Sequence, residues 1–219
     1  MTELTSELLL KAYAYGVFPM AKSRADHTVF WVQPKLRGVL PLDAFHVPRS
    51  LKKTIRKGLF TVTVDQAFDA VLEGCAETTP ARPDTWINEQ IVRLFTELHH
   101  AGVAHSIEVW HDGQLAGGLY GLAMGSAFFG ESMFSRVTDA SKVGLVQLIA
   151  ILIRGGFTLL DTQFITDHLA RFGTIEISQK EYLVQLSSAL AQSADWGPPL
   201  TQRELEGFLA GSQASTQTS

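Results

Sequence analysis

Apolar residues recur with a helical period near the start of the chain. Leu8, Leu9, Ala12 and Tyr13 form a stripe, Thr5 stands where a cap belongs, and Gly16 then Pro19 stop the run, which predicts a helix over 5–15. Short extended runs follow at 29–32 and 38–40, around a break at Gln33-Pro34. Residues 48–57 read as a basic helical turn ended by Gly58, and 60–64 alternate as a strand. Asp65 is placed to cap a helix that runs through Cys75. Residues 78–84 form a loop, and Asn88 caps the next helix, which Gly102 ends.

The second half is patterned more sharply. Residues 106–110 and 115–124 read as strands joined by the turn His111-Asp112-Gly113-Gln114. Gly125-Ser126 then fits a two-residue hairpin turn before a third strand at 127–133. Thr138 or Asp139 opens a strongly apolar helix that Arg154-Gly155-Gly156 closes. It carries two stripes, Val143, Val146, Ile149 and Ile153 on one side and Leu145, Leu148 and Leu152 on the other, so it is buried over a wide arc. A strand at 157–164, a short helix near 166–171 and an amphipathic helix at 178–191 follow, and the Ser/Thr/Gln-rich tail at 211–219 is expected to be disordered. A meander followed by helix, strand and helix predicts an α+β fold with a mainly antiparallel open sheet.

Composition narrows the class. The chain has 219 residues, 46% hydrophobic and 18% charged, which excludes a disordered polymer. One cysteine, Cys75, cannot form an internal disulfide. The first ten residues carry Glu3 and Glu7 with no basic cluster before an apolar run, unlike a signal peptide, and the longest apolar run is too short for the about 20 residues a bilayer needs. No membrane partner and a cytoplasmic setting are therefore expected. The net charge of −4 argues against a generally basic nucleic-acid coat.

Three polar residues stand in apolar surroundings where charge is expensive. Glu131 follows Phe129 and precedes Met133, and on a regular strand Ala127, Phe129, Glu131 and Met133 share one face. A salt bridge to Arg136 or Lys142 would explain it without function. Asp161 and Gln163 lie two apart, on one face, where the carboxylate could accept the Gln163 carboxamide N–H and fix its orientation. Ser132 is not in a nucleophile elbow, Cys75 reads as core, and the histidines have no metal-ligand spacing, so no metal is expected.

Charge is distributed unevenly. Residues 35–57 hold seven basic side chains and one acidic, a net +6 inside a chain of −4. Within it, Arg49, Lys52, Lys53, Arg56 and Lys57 fall in nine residues with no acidic neighbour, a pattern suited to a phosphate backbone. Trp86, in Asp84-Thr85-Trp86-Ile87, could stack on a base or anchor its loop to the core.

Several motifs together resemble the leucyl/phenylalanyl-tRNA–protein transferase family. They are Tyr15-Gly16-Val17-Phe18-Pro19, Phe30-Trp31-Val32-Gln33-Pro34, Phe45-His46-Val47-Pro48-Arg49-Ser50-Leu51, Thr85-Trp86-Ile87 and His105-Ser106-Ile107-Glu108-Val109-Trp110. Gly117-Gly118-Leu119-Tyr120-Gly121, Phe129-Gly130-Glu131-Ser132-Met133-Phe134-Ser135-Arg136, Asp139-Ala140-Ser141-Lys142 and Asp161-Thr162-Gln163-Phe164 complete the set. The resemblance spans about residues 5–190.

It implies a small N-terminal domain (1–36), an N-acyltransferase-like catalytic domain of GCN5-related type (37–195) and a C-terminal extension (196–219). It implies transfer of Leu or Phe from Leu-tRNA or Phe-tRNA to acceptor proteins with N-terminal Arg or Lys, marking them for N-degron proteolysis, with no cofactor and no DNA partner. Carried over by motif, Asp161, Gln163 and Glu131 are the catalytic set. Leu119, Met133, Leu145, Leu148, Leu152 and Leu160 line the aminoacyl side-chain pocket, although the family often has aromatics at positions 148 and 152. Trp86 meets the terminal adenosine of tRNA, and Met20 stands where some members carry a second stacking tryptophan. The basic turn serves the tRNA backbone. Two rivals remain on residues alone. A CoA-dependent N-acetyltransferase needs a Gly-rich pyrophosphate turn, and Ser135-Arg136-Val137-Thr138-Asp139-Ala140 has no glycine. A non-enzymatic RNA-binding module leaves Glu131, Asp161 and Gln163 without a task.

Overall fold

The structure is a computed structural model that describes residues 4–79 and 83–211. Part of the predicted 78–84 loop and nearly all of the predicted disordered tail lie outside those residues. The chain opens with α1 (Ser6–Ala14), whose first turn is capped by the Thr5 hydroxyl as predicted. A two-stranded antiparallel sheet of β1 (Phe18–Met20) and β2 (Phe30–Val32) follows. Then come β3 (Leu36–Val39), α2 (Arg49–Arg56), β4 (Thr61–Val64), α3 (Phe68–Ala76) and α4 (Glu89–His100), the last capped by Asn88. The meander is β5 (Ala104–His111), β6 (Gln114–Met124) and β7 (Ala127–Ser135). The chain continues through α5 (Ala140–Gly155), β8 (Leu159–Gln163), α6 (Asp167–Ala170), β9 (Ile175–Ser178), α7 (Gln179–Leu190) and α8 (Gln202–Gly211).

Seven strands form one open sheet in the order β4-β5-β6-β7-β8-β3-β9. Every pairing is antiparallel except β7 with β8, which α5 connects. The architecture is the predicted α+β fold with a mainly antiparallel open sheet. Helices cover both faces. Leu9 and Tyr13 of α1, Leu72 of α3, Phe95 of α4 and Leu186 of α7 pack with Tyr120 and Phe129 on one side. Ile55 of α2, nearly all of α5, and Leu205 and Leu209 of α8 pack with Leu119, Phe128 and Leu160 on the other. As its two stripes predicted, α5 is buried over a wide arc, except that Ile153 reaches solvent at its end.

The predicted Asp65 cap is corrected, and the predicted start of α5 at Asp139 is found, without a cap bond. Asp65 does not cap α3, whose N-cap is Ala67 with no side-chain bond. Asp65 takes φ +57° and accepts from the Ser106 N–H, His105 Nδ1 and Trp196 Nε1 instead. Asp139 stands at the start of α5 in the left-handed region and makes no cap bond; its carboxylate meets Lys142 and the Thr54 hydroxyl. For Asp65, partners distant in sequence outcompete the local one. The strands β1 and β9 and the helix α8 had no separate prediction: two are short edge elements, and α8 is mostly polar except where Leu205, Phe208 and Leu209 meet the core.

One irregularity shapes the site. β6 pairs Tyr120 with Ser132 and Gly121 with Gly130, so Glu131 is an extra, unpaired residue in a β-bulge. The bulge inverts the alternation. Phe129 belongs to the α3/α4 face and Phe128 to the α5 face, whereas past the bulge Phe134 belongs to the first and Met133 to the second. The predicted common face of Phe129, Glu131 and Met133 is therefore corrected, because a single added residue moves every later side chain across the sheet.

Candidate active site

The parallel pairing of β7 with β8 ends at Phe129 opposite Asp161. Beyond that point β7 bulges at Glu131 and β8 breaks at Gln163, so the strands part and open a cavity of about 230 Å³. Its base is apolar: Leu119, Met133, Leu145, Leu148, Leu160 and Leu169. Its rim is polar, with Glu131, Ser132, Thr162, Gln163 and Thr166, and Phe164 lies at its mouth. Apolar cavities of about 150 Å³ accept a benzene ring, so this one has room for a single apolar side chain.

Gln163 owes its position to a tight reversal. It has φ +56°, and the Phe164 N–H donates to the Thr162 carbonyl at 2.6 Å, a γ-turn rarely adopted by a non-glycine residue. β3 passes close beside this turn. A Cβ on Gly38 would lie 2.7 Å from the Phe164 carbonyl carbon and 2.9 Å from the Thr162 hydroxyl, so only glycine fits there.

What holds the turn is Asp161. Its fully buried carboxylate accepts from Arg37 Nε at 2.9 Å and Nη2 at 2.7 Å, from the Tyr182 hydroxyl at 2.7 Å and from the Gln163 backbone N–H at 2.9 Å. The predicted bond from the Gln163 carboxamide to Asp161 is corrected: the turn rotates that side chain away, and its Nε2 donates to Glu131 Oε1 at 3.3 Å. Arg37 is equally buried. Its guanidinium lies between the rings of Phe18 and Tyr182, at 4.7 and 4.5 Å from their centroids, and also donates to the Gly16 carbonyl. Burial works against its charge, but the Asp161 carboxylate prevails and raises its pKa. Asp161 likewise helps hold the Tyr182 hydroxyl in its protonated form, after burial itself.

Glu131 has neither bland partner proposed for it. Arg136 pairs with Glu77 and Lys142 with Asp139. The Glu131 carboxyl instead accepts from the buried Tyr13 hydroxyl at 2.7 Å. Burial pushes its pKa up to about 8; the Tyr13 bond opposes this, the nearby Asp161 charge adds to it, and Arg37 opposes it. The site thus contains a carboxylate paired with a buried arginine and a second one poised to exchange a proton near neutrality.

The remaining predicted residues fall elsewhere. Leu152 is fully buried in the α5 core and does not line the cavity. Met20 and Trp86 are drawn together by the Ala21 N–H bond to the Trp86 carbonyl, and both pack partly against the core outside the cavity. On α2 and its end, Arg49, Lys53, Arg56 and Lys57 are exposed, whereas Lys52 is only 7% exposed. Burial, then the charges of Arg56 and Arg49, lower the Lys52 pKa. Arg37, counted in the basic segment, is buried against Asp161 instead. Arg37, Tyr13 and Tyr182 were not predicted as site residues. A lone arginine in the apolar run Leu36-Arg37-Gly38-Val39-Leu40 was the available signal, since a buried cation requires a partner.

Comparison with known proteins follows the same geography. The model described as "Leucyl/phenylalanyl-tRNA protein transferase" matches residues 39–187, and that of its N-terminal domain matches 2–35. Three relatives bear the name leucyl/phenylalanyl-tRNA–protein transferase. That of Paramagnetospirillum magneticum is 61% identical over 89% of this chain and 93% of its own. Those of Nitrobacter winogradskyi and Caulobacter vibrioides are 57% and 55% identical, over 95% and 96% of this chain and 93% and 98% of theirs. Among solved structures, L-PGS from Bacillus licheniformis aligns with a TM-score of 0.43 at 10% identity over 96% of this chain and 71% of that one, too slight a likeness to argue from. The family models and relatives, which cover the cleft and both strands that frame it, establish that this chain belongs to the leucyl/phenylalanyl-tRNA protein transferase family of aminoacyltransferases.

Proposed function

We propose that this chain transfers Leu or Phe from the 3′ end of aminoacyl-tRNA to the N-terminal Arg or Lys of acceptor proteins in the cytoplasm, marking them for N-degron proteolysis. The observation that carries this reading is the apolar, side-chain-sized cavity opening directly on Glu131 and Gln163. The small N-terminal unit ends near residue 36, where β3 joins the large sheet beside the cleft.

An aminoacyl ester is already activated, so no covalent nucleophile is required. The Leu or Phe side chain sits among Leu119, Met133, Leu145, Leu148 and Leu160, and this holds its ester carbonyl at the polar rim. Positioning of this kind can supply roughly 7–11 kcal/mol of the barrier. The Gln163 Nε2 is engaged by Glu131, which leaves its carbonyl oxygen free to accept from the incoming α-amine. The amine nitrogen attacks the ester carbon. Its proton passes to the Glu131 carboxylate, the bond from carbon to the ribose oxygen breaks, and that oxygen takes up the proton. A group with a pKa of about 8 can accept and return a proton near neutral pH. Asp161 acts as a positioning residue, through the Gln163 backbone. The basic residues of α2 (Arg49, Lys52, Lys53, Arg56) with Lys57 meet the tRNA backbone, and Trp86 with Met20 meets the terminal adenosine.

Transfer of labelled Phe from Phe-tRNA to a protein starting with Arg or Lys, without CoA, tests the reading. Gln163→Ala should lower kcat by about 100-fold or more while leaving the KM for donor near its original value. Near-normal transfer at saturating donor would refute the assignment.

A further inference from the structure

Helix α2 is poorly built to stand alone. It has eight residues and no side-chain N-cap bond, and its neighbours at i,i+4 include Arg49–Lys53 and Lys52–Arg56, both like-charged. Among the described residues, no ion pair links any of these cations to a carboxylate. An isolated segment of this kind would unwind.

It is held by the C-terminal extension. The Gln202 carboxamide at the start of α8 donates to the Ile55 carbonyl in the last turn of α2 at 2.9 Å, a second bond to an acceptor that also takes the Gly58 N–H, so it ties α8 to the end of α2. Leu205 and Leu209 of α8 share the buried cluster with Leu51 and Ile55, and the Phe208 ring stacks on Phe45, just before α2, at 5.4 Å. The approach to α8 is fixed in turn by Gln147, which exchanges two hydrogen bonds with the Leu200 backbone. This whole strap lies beyond residues 39–187, the span matched by the family model.

We infer that α8 is a positioning element for tRNA: it holds α2 folded so that the exposed Arg49, Lys53 and Arg56, with Lys57, present a fixed array to a phosphate backbone. The inference rests on the proposed tRNA-dependent transfer. Binding to a preordered array avoids the ordering entropy that a frayed, self-repelling helix would have to overcome.

The test compares Gln202→Leu and the double variant Gln202→Leu/Phe208→Ala with the parent full-length chain on two donors. One is Phe-tRNA; the other is 3′-O-phenylalanyl-adenosine, which has no phosphate backbone. With Phe-tRNA, the double variant should show KM raised about three- to tenfold, the scale of one or two lost phosphate contacts, with kcat unchanged and a shallower dependence of KM on salt. With the minimal donor both constants should stay at the parent values. Gln202 lies at the surface, so the single variant keeps the fold and should show the same donor-specific shift in smaller degree. Equal losses on both donors, or no change in KM or salt slope with Phe-tRNA, overturn the inference. A parent chain inactive with Phe-tRNA would instead refute the transfer reading on which it rests.

Discussion

Arg37→Met offers the most direct test of how the cleft is held. The substitution keeps a long apolar stem between Phe18 and Tyr182 but removes both N–H donors to Asp161 and the one to the Gly16 carbonyl. Both partners of this ion pair are buried, with side chains 1% and 0% exposed, so the remaining carboxylate keeps only the Tyr182 hydroxyl and the Gln163 N–H. Breaking a buried pair from one side costs about 3–5 kcal/mol, and each lost cation–π contact adds about 0.5–2 kcal/mol. A loss of about 4 kcal/mol or more is thus expected, a large fraction of the about 5–15 kcal/mol that stabilises a domain. Urea denaturation at pH 7 measures it. The stranded charge, rather than lost shape, should dominate. Arg37→Met/Asp161→Asn should therefore recover part of the stability, because no charge is stranded and the Asn oxygen can still accept from the Gln163 N–H. A loss under about 1 kcal/mol, the scale of an exposed ion pair, or a double variant no more stable than Arg37→Met, refutes the reasoning.

Gly38→Ala should destabilise the chain by about 1–3 kcal/mol, read as a lower melting temperature, and reduce kcat at least about tenfold, because the new Cβ would displace the turn that presents Gln163; unchanged kcat would count against that turn's role. Glu131→Gln should change the pH dependence of stability. The parent carboxyl, with a pKa of about 8 in the fold against 4.5 unperturbed, favours folding most below pH 4.5, and that stability is lost as pH rises from 4.5 to 8. The variant, which cannot titrate there, should gain on the parent by at most about 1.4 kcal/mol per pH unit across this window, and less to the extent that the side chain still meets water in the cavity; urea midpoints at pH 5, 6.5 and 8 that keep a constant difference would contradict this. Leu148→Phe should fill part of the 230 Å³ cavity and shift the Phe/Leu ratio of kcat/KM toward Leu by about 10-fold or more; an unchanged ratio would remove Leu148 from the pocket. Tyr120→Phe deletes a fully buried hydroxyl that has no hydrogen-bond partner among the described residues, and should stabilise the chain by about 1 kcal/mol, read as a higher melting temperature.

Much of this protein follows from local pattern. The Thr5 and Asn88 caps, the β5–β7 meander, its Gly125-Ser126 hairpin and the wide apolar arc of α5 are each specified by residues within a few positions of one another. Five of the six residues that the family resemblance assigned to the pocket line the cavity, and two of them, Leu145 and Leu148, also lie on the stripe that helical spacing picked out in α5. Leu152 shows the limit: its stripe on α5 is correct, but only packing decides that the stripe's far end lies in the core.

What the tertiary structure decided concerns charge and register. A period-two pattern cannot reveal a bulge, so the sequence placed Glu131 on the face of Phe129 and Met133, whereas pairing with β6 makes it the extra residue and sends Met133 to the cavity side. Residue spacing put Asp161 beside the Gln163 carboxamide, whereas the γ-turn gives that side chain to Glu131 and leaves Asp161 the backbone N–H. Arg37, 124 positions from Asp161 along the chain, looked like part of a basic surface until β3 inserted next to β8 and buried it. The physical reason is the same in all three. Hydrophobic periodicity is a local property that short stretches of chain determine, but the partner of a buried charge and the register of a sheet are set by which distant strands become neighbours.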